Sequence, residues 1–237
     1  MRSIVRGSVL ALIFVAVGLF AQPVDAQIEK EVLQFVGDVI VRSEYGTRDI
    51  DFVKRWTRSP TLSTFGEGDQ FPRVIKSVVD QINELLPDDI QITVLEPGDE
   101  SADIKVIFTA REKFQELAKK HEFTLPEGVV AYFSNWWNGK FELKKAIVLI
   151  PSDKKYGREL RHIIMEEISQ SMGAGGDSSQ FEKSVFYEDL DAEEYGSAVK
   201  FSKLDKRLIK FLYQHVPPGA SGVEVGYLLA KHWEEAD

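Results

Sequence analysis

The chain has 237 residues, a formal net charge of −9 and no cysteine. The acidic balance argues against nucleic acid and anionic lipid as partners, since both select a basic surface. The missing thiol excludes disulfides, a cysteine nucleophile and a lipid-modified cysteine.

Residues 1–26 read as a signal peptide. Arg2 and Arg6 form a positive start, and Val9 to Phe20 is an apolar run. At about 12 residues that run is short for a bilayer span. Val24-Asp25-Ala26 offers small residues where cleavage is expected, so the mature chain is expected to begin at Gln27, exported to the periplasm or the medium, with no membrane span left. An uncleaved anchor is the alternative.

Residues 27–44 hold an amphipathic helix from Ile28 to Arg42, with Val32, Phe35, Val36, Val39 and Ile40 at helical spacing. The remainder, 45–237, reads as one domain. Its first strand is expected across Phe52–Trp56 and Thr57–Phe65, interrupted or bounded by Pro60. A helix follows from Phe71 to Leu86, stopped before Pro87. Ile90–Leu95 and Ile104–Phe108 read as strands. Thr109-Ala110-Arg111-Glu112 has the form of a capping box for a helix to Lys120. Val129 to Trp137 is a strand, and Asn138-Gly139 is the pair that favours a tight hairpin turn. Ala146–Ile150 is continuously apolar, which suits a buried strand.

A helix from Tyr156 to Met172 comes next. At 100° per residue, Leu160, Ile164, Ile168 and Met172 form one core stripe. Glu167 falls beside Leu160 and Ile163, so it is expected to be buried and to serve structure before catalysis. Glu166 and Gln170 fall at the border of that face. Gly173 ends the helix, and a stretch containing Gly175 and Gly176 follows. Gln180 to Ala198 is irregular and acidic. Ser202 to Asp205 and Ser221 to Glu224 are capping boxes for two last helices, to Tyr213 and to Glu235. The sum is an α+β fold: a mixed sheet with an edge hairpin, helices packed on it and a mostly helical C-terminal part.

The helix carries E-E-I-S-Q-S-M-G, Glu166 to Gly173. Laid on the zinc-protease pattern H-E-x-x-H-x-x-G, Glu166 and Gln170 stand where the two imidazoles belong. Glu167 stands at the general-base position. A zinc site of that kind needs nitrogen ligands at i and i+4, and here both are oxygen donors. Oxygen donors suit Mg²⁺ or Ca²⁺ better, and Asp177 could add a third. The four histidines do not restore the site. His162 shares a helix face with Glu166 and reads as a surface ion pair. His121, His215 and His232 lie at or near helix ends and read as surface residues. No metal and no cofactor are expected at the motif.

The stretch R-H-I-I-M-E-E-I-S-Q-S-M-G, then Asp177-Ser178, Ser184-Val185-Phe186 and L-D-K-R-L-I-K-F-L-Y from Leu204 to Tyr213, resembles the bacterial domain-of-unknown-function family 2927. The resemblance runs from about Phe52 to Gly222. It implies a zincin-like fold with E-E-x-x-Q in place of H-E-x-x-H, and an exported location, but no established activity.

Two readings of function follow. One is a non-catalytic binding or structural domain of the cell envelope. The other is a divergent metal-dependent hydrolase or peptidase with Glu167 as general base. Loss of both imidazoles favours the first. For a binding role the edge strand with Tyr132, Phe133, Trp136 and Trp137 is the candidate surface, with an extended peptide or envelope protein as the partner.

Overall fold

The structure, a computed structural model, describes residues 29–42, 52–66, 71–153, 157–188 and 198–236. Residues 1–26, expected to be a signal peptide, and most of the acidic stretch from Glu188 to Glu194 lie outside these residues.

The sheet is built around two apolar strands, β3 (Ile104–Thr109) and β5 (Leu143–Pro151). They run parallel, with Ile104 opposite Ala146 and Phe108 opposite Ile150. β1 (Thr61–Gly66) is parallel to β3, and the two-residue β2 (Thr93–Val94) is parallel to β1. β4 (Tyr132–Trp137) pairs antiparallel with β5, giving the order β2-β1-β3-β5-β4. β4 therefore ends the sheet, as the sequence led us to expect.

Both faces of β5 are covered, which explains its unbroken apolar run. Ala146, Val148 and Ile150 face the main core, while Ile147 and Leu149 face a smaller cluster with Ile107 and Phe114. The main core is roofed by α2 (Pro72–Asn83), α4 (Arg158–Ser171) and α5 (Lys203–His215). On the opposite face lies α3 (Phe114–His121). The N-terminal helix α1 (Lys30–Val36) continues into a wide turn over Gly37–Val41. Its Phe35, Val36, Val39, Ile40 and Val41 are buried in the same main core as the sheet. The last helix, α6 (Gly222–His232), ends in a 3-10 turn over Trp233–Ala236.

Four local expectations are corrected. Phe52 to Trp56 is not a strand; Phe52 and Arg55 make only isolated bridges, to Ser221 and Glu142. Ile90–Leu95 contributes two strand residues, because only Thr93 and Val94 pair in register with β1, opposite Thr61 and Leu62. The Thr109 capping box does not form. Thr109 is the last residue of β3, opposite Pro151, and its carbonyl accepts the Ser152 amide at 2.9 Å. With its backbone held in the ladder, the helix starts later, after a 3-10 turn at Arg111–Lys113. Asn138-Gly139 does not make a two-residue turn either. The Asn138 amide donates to the Glu142 carbonyl, and the Phe141 amide donates to the Asn138 carbonyl. Phe141 takes a positive φ of 60°, which makes this the three-residue hairpin loop. The Asn138 side chain accepts from the amides of Lys140 and Glu142, which holds the wider turn.

The two C-terminal capping boxes are present. At α5, Ser202 Oγ accepts from the Asp205 amide, and the Asp205 carboxylate accepts from the Ser202 amide at 2.7 Å. Asp205 is fully buried and does more than cap. It also accepts from Ser184 Oγ at 2.5 Å and the Val185 amide at 3.2 Å. Burial pushes this carboxyl up, against the pull of those donors. Asp205→Ala leaves two buried donors and the part-buried Ser202 amide without an acceptor. Chemical denaturation should show a loss of about 3 kcal/mol. A loss under about 1 kcal/mol would mean that Asp205 is only a helix cap.

Candidate functional site

α4 was expected to have one buried stripe and a border. Instead the helix is enclosed on nearly every side. Leu160, Ile164, Ile168 and Met172 are buried as the stripe predicts. So are His162, Glu166, Glu167, Ser169, Gln170 and Ser171. Ser169 and Ser171 meet the cost of burial by donating to their own helix, to the carbonyls of Met165 and Ile168, each at 2.7 Å. Glu167 is 7% exposed, in line with its place between apolar neighbours, and Glu166 is 8% exposed.

His162 is not the surface ion pair that its spacing suggested. It is fully buried, and its Nδ1 lies 2.9 Å from the Ala198 carbonyl. A carbonyl only accepts, so Nδ1 carries the proton. In the neutral ring Nε2 is then an acceptor, and it faces Glu166 Oε2 across a long 3.5 Å. Burial holds the His162 pKa below the ordinary value, outweighing the opposite pulls of the Ala198 carbonyl and the Glu159 carboxylate.

Gln170 and Asp177 are brought together. Gln170 Nε2 donates to Asp177 Oδ1 at 2.9 Å. The end of the helix is closed by side chains from three other segments. Asn135 Nδ2 of β4 donates to the Gln170 carbonyl at 3.2 Å. Trp56 Nε1 donates to the Ser171 carbonyl at 3.0 Å. Tyr213 Oη of α5 donates to the Met172 carbonyl at 2.6 Å. The Gln170 carbonyl also accepts from the Gly173 amide at 3.0 Å; carbonyls at a helix end lack i+4 partners, so such donors are needed where water is excluded. Arg55 stacks on Tyr213 at 5.4 Å and donates to the Val216 carbonyl. Full burial raises the Tyr213 pKa, so its hydroxyl keeps its proton.

Gly173 turns the chain away from α4 at a φ of +112°. A Cβ there would lie 2.3 Å from the Lys54 carbonyl oxygen. A Cβ on Gly176 would lie 2.2 Å from the Asp38 carbonyl oxygen. These glycines let the segment after α4 pass close to the backbone on either side. Asp38 anchors the same region. It accepts from Ser178 Oγ at 3.1 Å and from Arg42 at 2.8 Å.

The aromatic residues of β4 divide between the two sheet faces. Tyr132 and Trp136 pack with Phe123 in the smaller cluster, at ring separations of 5.6 and 6.1 Å. Phe133 packs on the main core, with its ring against Gly175. Trp137 is 39% exposed, with Lys54 Nζ 5.1 Å from its ring. Only Phe133 and Trp137 therefore share the side of α4, together with Asn135. Sequence reading missed Trp56, Asn135 and Tyr213. A lone aromatic or amide carries no periodic signal, and its partner carbonyl is set by tertiary packing.

These features define an α+β protein with an acid-bearing helix buried against a mixed sheet. The chain belongs to the family described as "Protein of unknown function (DUF2927)", whose model matches residues 29–231. Among solved structures, two of myroilysin are similar. One has a TM-score of 0.41 at 13% identity and covers 69% of this chain and 98% of its own. The other has the same TM-score and identity and covers 76% and 93%. No curated protein matches the chain in sequence.

The buried histidine gives a pH dependence. Its folded pKa lies below the unfolded value of about 6.5, so the unfolded chain binds the proton more readily. Its contribution to stability is complete above about pH 6.5 and is lost as the pH falls towards the folded pKa. Thermal unfolding should show a midpoint that drops on acidification below pH 6.5, with a smaller drop in His162→Gln. His121 and His215, also shifted down, leave a residual slope in the variant. Equal slopes in both proteins would show that His162 does not titrate this way.

Proposed function

We propose that this chain is an exported, non-catalytic domain with a zincin-like layout, which holds an extended peptide or envelope protein at the β4 edge. In this reading Glu166-Glu167-x-x-Gln170 is a zinc-protease helix motif that has lost its imidazoles. The observation that carries the reading is the commitment of the motif to its own fold. Gln170, at the second ligand position, is tied to Asp177, and Glu166, at the first, is buried beside His162.

Zinc does not fit these residues. Its sites are built from nitrogen and sulfur with few carboxylates, and a neutral amide is a poor substitute for an imidazole. With its amide nitrogen donating to Asp177, Gln170 has only its neutral amide oxygen left to offer, a weak donor for zinc. Glu166→Ala should therefore leave the zinc content of the purified protein unchanged by elemental analysis. A full equivalent that disappears with this substitution would overturn the reading.

A binding role draws support from the strand beside α4. β4 closes the sheet order, and a terminal strand offers main-chain groups to an added strand. Phe133 and Trp137 stand on its α4 side, and Trp137 is partly exposed. Burying such a ring changes its fluorescence. Titration with extended envelope-derived peptides should give a saturable change in the wild type that Trp137→Phe clearly reduces, the remainder coming from Trp136 on the same strand. Trp56 is fully buried at the end of α4 and adds a constant background. A signal unchanged in Trp137→Phe would place binding elsewhere.

A further inference from the structure

A second group of chemically able side chains lies far along the chain from the α4 motif. α5 ends at His215, followed by Val216 and the rigid pair Pro217-Pro218. α6 ends at His232, and the 3-10 turn after it carries Glu235. The two imidazole rings stack at 4.5 Å, with planes 7° apart. Glu235 Oε2 lies 2.7 Å from His232 Nδ1. Taking one ligand atom from each residue, all three lie within 4.8 Å of one another. Among the described residues this is the one group of three such side chains so placed.

We propose that His215, His232 and Glu235 bind one divalent cation of the zinc class. Two imidazole nitrogens and one carboxylate are the donor set that such cations take, and Mg²⁺ and Ca²⁺ do not. Bonds of about 2.0–2.1 Å place tetrahedral ligand atoms roughly 3.3 Å apart. The backbone spacing allows it, but the two rings must turn out of their parallel stack so that their nitrogen lone pairs converge on the ion. A solvent molecule fills the fourth position, since Glu235 lies at the surface.

The surroundings hold the three ligands in place. The His215 ring lies between Phe211 at 6.1 Å and His232. Phe211 is buried edge-on against Trp233 at 5.7 Å, and Trp233 is the residue after His232. Arg207 sits over Trp233 at 5.4 Å and 3.6 Å from Glu234. The turn that carries Glu235 is thus pinned from α5. Ligands fixed in advance lose less entropy on binding.

His215 Nε2 is shielded from solvent, with no hydrogen-bond partner among the described residues. A buried nitrogen of that kind has an unmet need that a cation would satisfy. Metal entry displaces the proton shared by His232 and Glu235 to solvent.

The test uses purified, metal-stripped protein titrated with zinc sulfate by calorimetry and thermal unfolding. One equivalent should bind. At zinc a hundredfold above Kd the unfolding midpoint should rise by about 5–10 °C. Magnesium or calcium chloride should give no shift. His232→Gln and His215→Gln should each weaken binding at least tenfold, and Glu235→Gln by less. His232 and Glu235 line the surface, so their variants should fold, and circular dichroism checks the His215 variant. Glu166→Ala should bind zinc as the wild type does. Absence of saturable binding, or binding undiminished in His232→Gln, overturns this site alone. Binding that survives both histidine variants but is lost in Glu166→Ala overturns it together with the non-catalytic reading of α4.

Discussion

The C-terminal end of α4 is the point on which the rest of the structure depends. A helix buried on nearly all sides cannot leave its last carbonyls to water. Here three of them are taken by Asn135, Trp56 and Tyr213. These donors come from the edge strand, the segment before β1 and the fifth helix. Each hydrogen bond is worth only about 1 kcal/mol net, but an unpaired buried carbonyl would cost more than that. Orientation follows from the same constraint. With its end fixed against β4 and α5, α4 cannot rotate to bring Glu166 or Gln170 outward.

The two most specific pieces of the family resemblance meet at this end. The acid-bearing helix finishes at Ser171, and Tyr213 closes the L-D-K-R-L-I-K-F-L-Y stretch. Their link is the Tyr213–Met172 hydrogen bond. At the other end of that stretch, Asp205 caps α5 and gathers Ser184 and Val185. Residues separated in the sequence thus form one support around the helix. This is a structural account of their pattern, and it requires no reaction.

Legibility in the sequence followed how local each cause was. The Ala146–Ile150 run announced a strand covered on both faces, and it is one. Ser202 and Ser221 announced helix starts because their partners lie three residues on. Thr109 offered the same pattern and failed, because the sheet had already claimed its backbone. The helical wheel placed Glu167 correctly, since its neighbours on α4 are apolar. It misplaced His162, Glu166 and Gln170, because a wheel treats one side of a helix as water. What covers that side is Ala198, Asp177 and β4, and none of these is visible from the period of α4. The paired histidines escaped for a related reason. Two helix ends that look like separate surface residues become neighbours only when α5 and α6 are packed.

The two groups of polar side chains then differ in a way that separates structure from ligand binding. Around α4 the named contacts run between protein groups: Gln170 to Asp177, Ser169 and Ser171 to their own helix, His162 to Ala198. A buried network of this kind rigidifies the fold, and disturbing any member is costly. At the ends of α5 and α6 the balance is reversed. Stacked imidazoles cannot both be charged without repulsion, and His215 Nε2 is buried with no hydrogen-bond partner among the described residues. Adding one cation improves that arrangement, whereas one between Glu166 and Gln170 would find only a carboxylate and a neutral amide oxygen, a poor set for zinc. The donor set for a metal ion thus lies at the C-terminal helices and not on the helix whose spacing first suggests it.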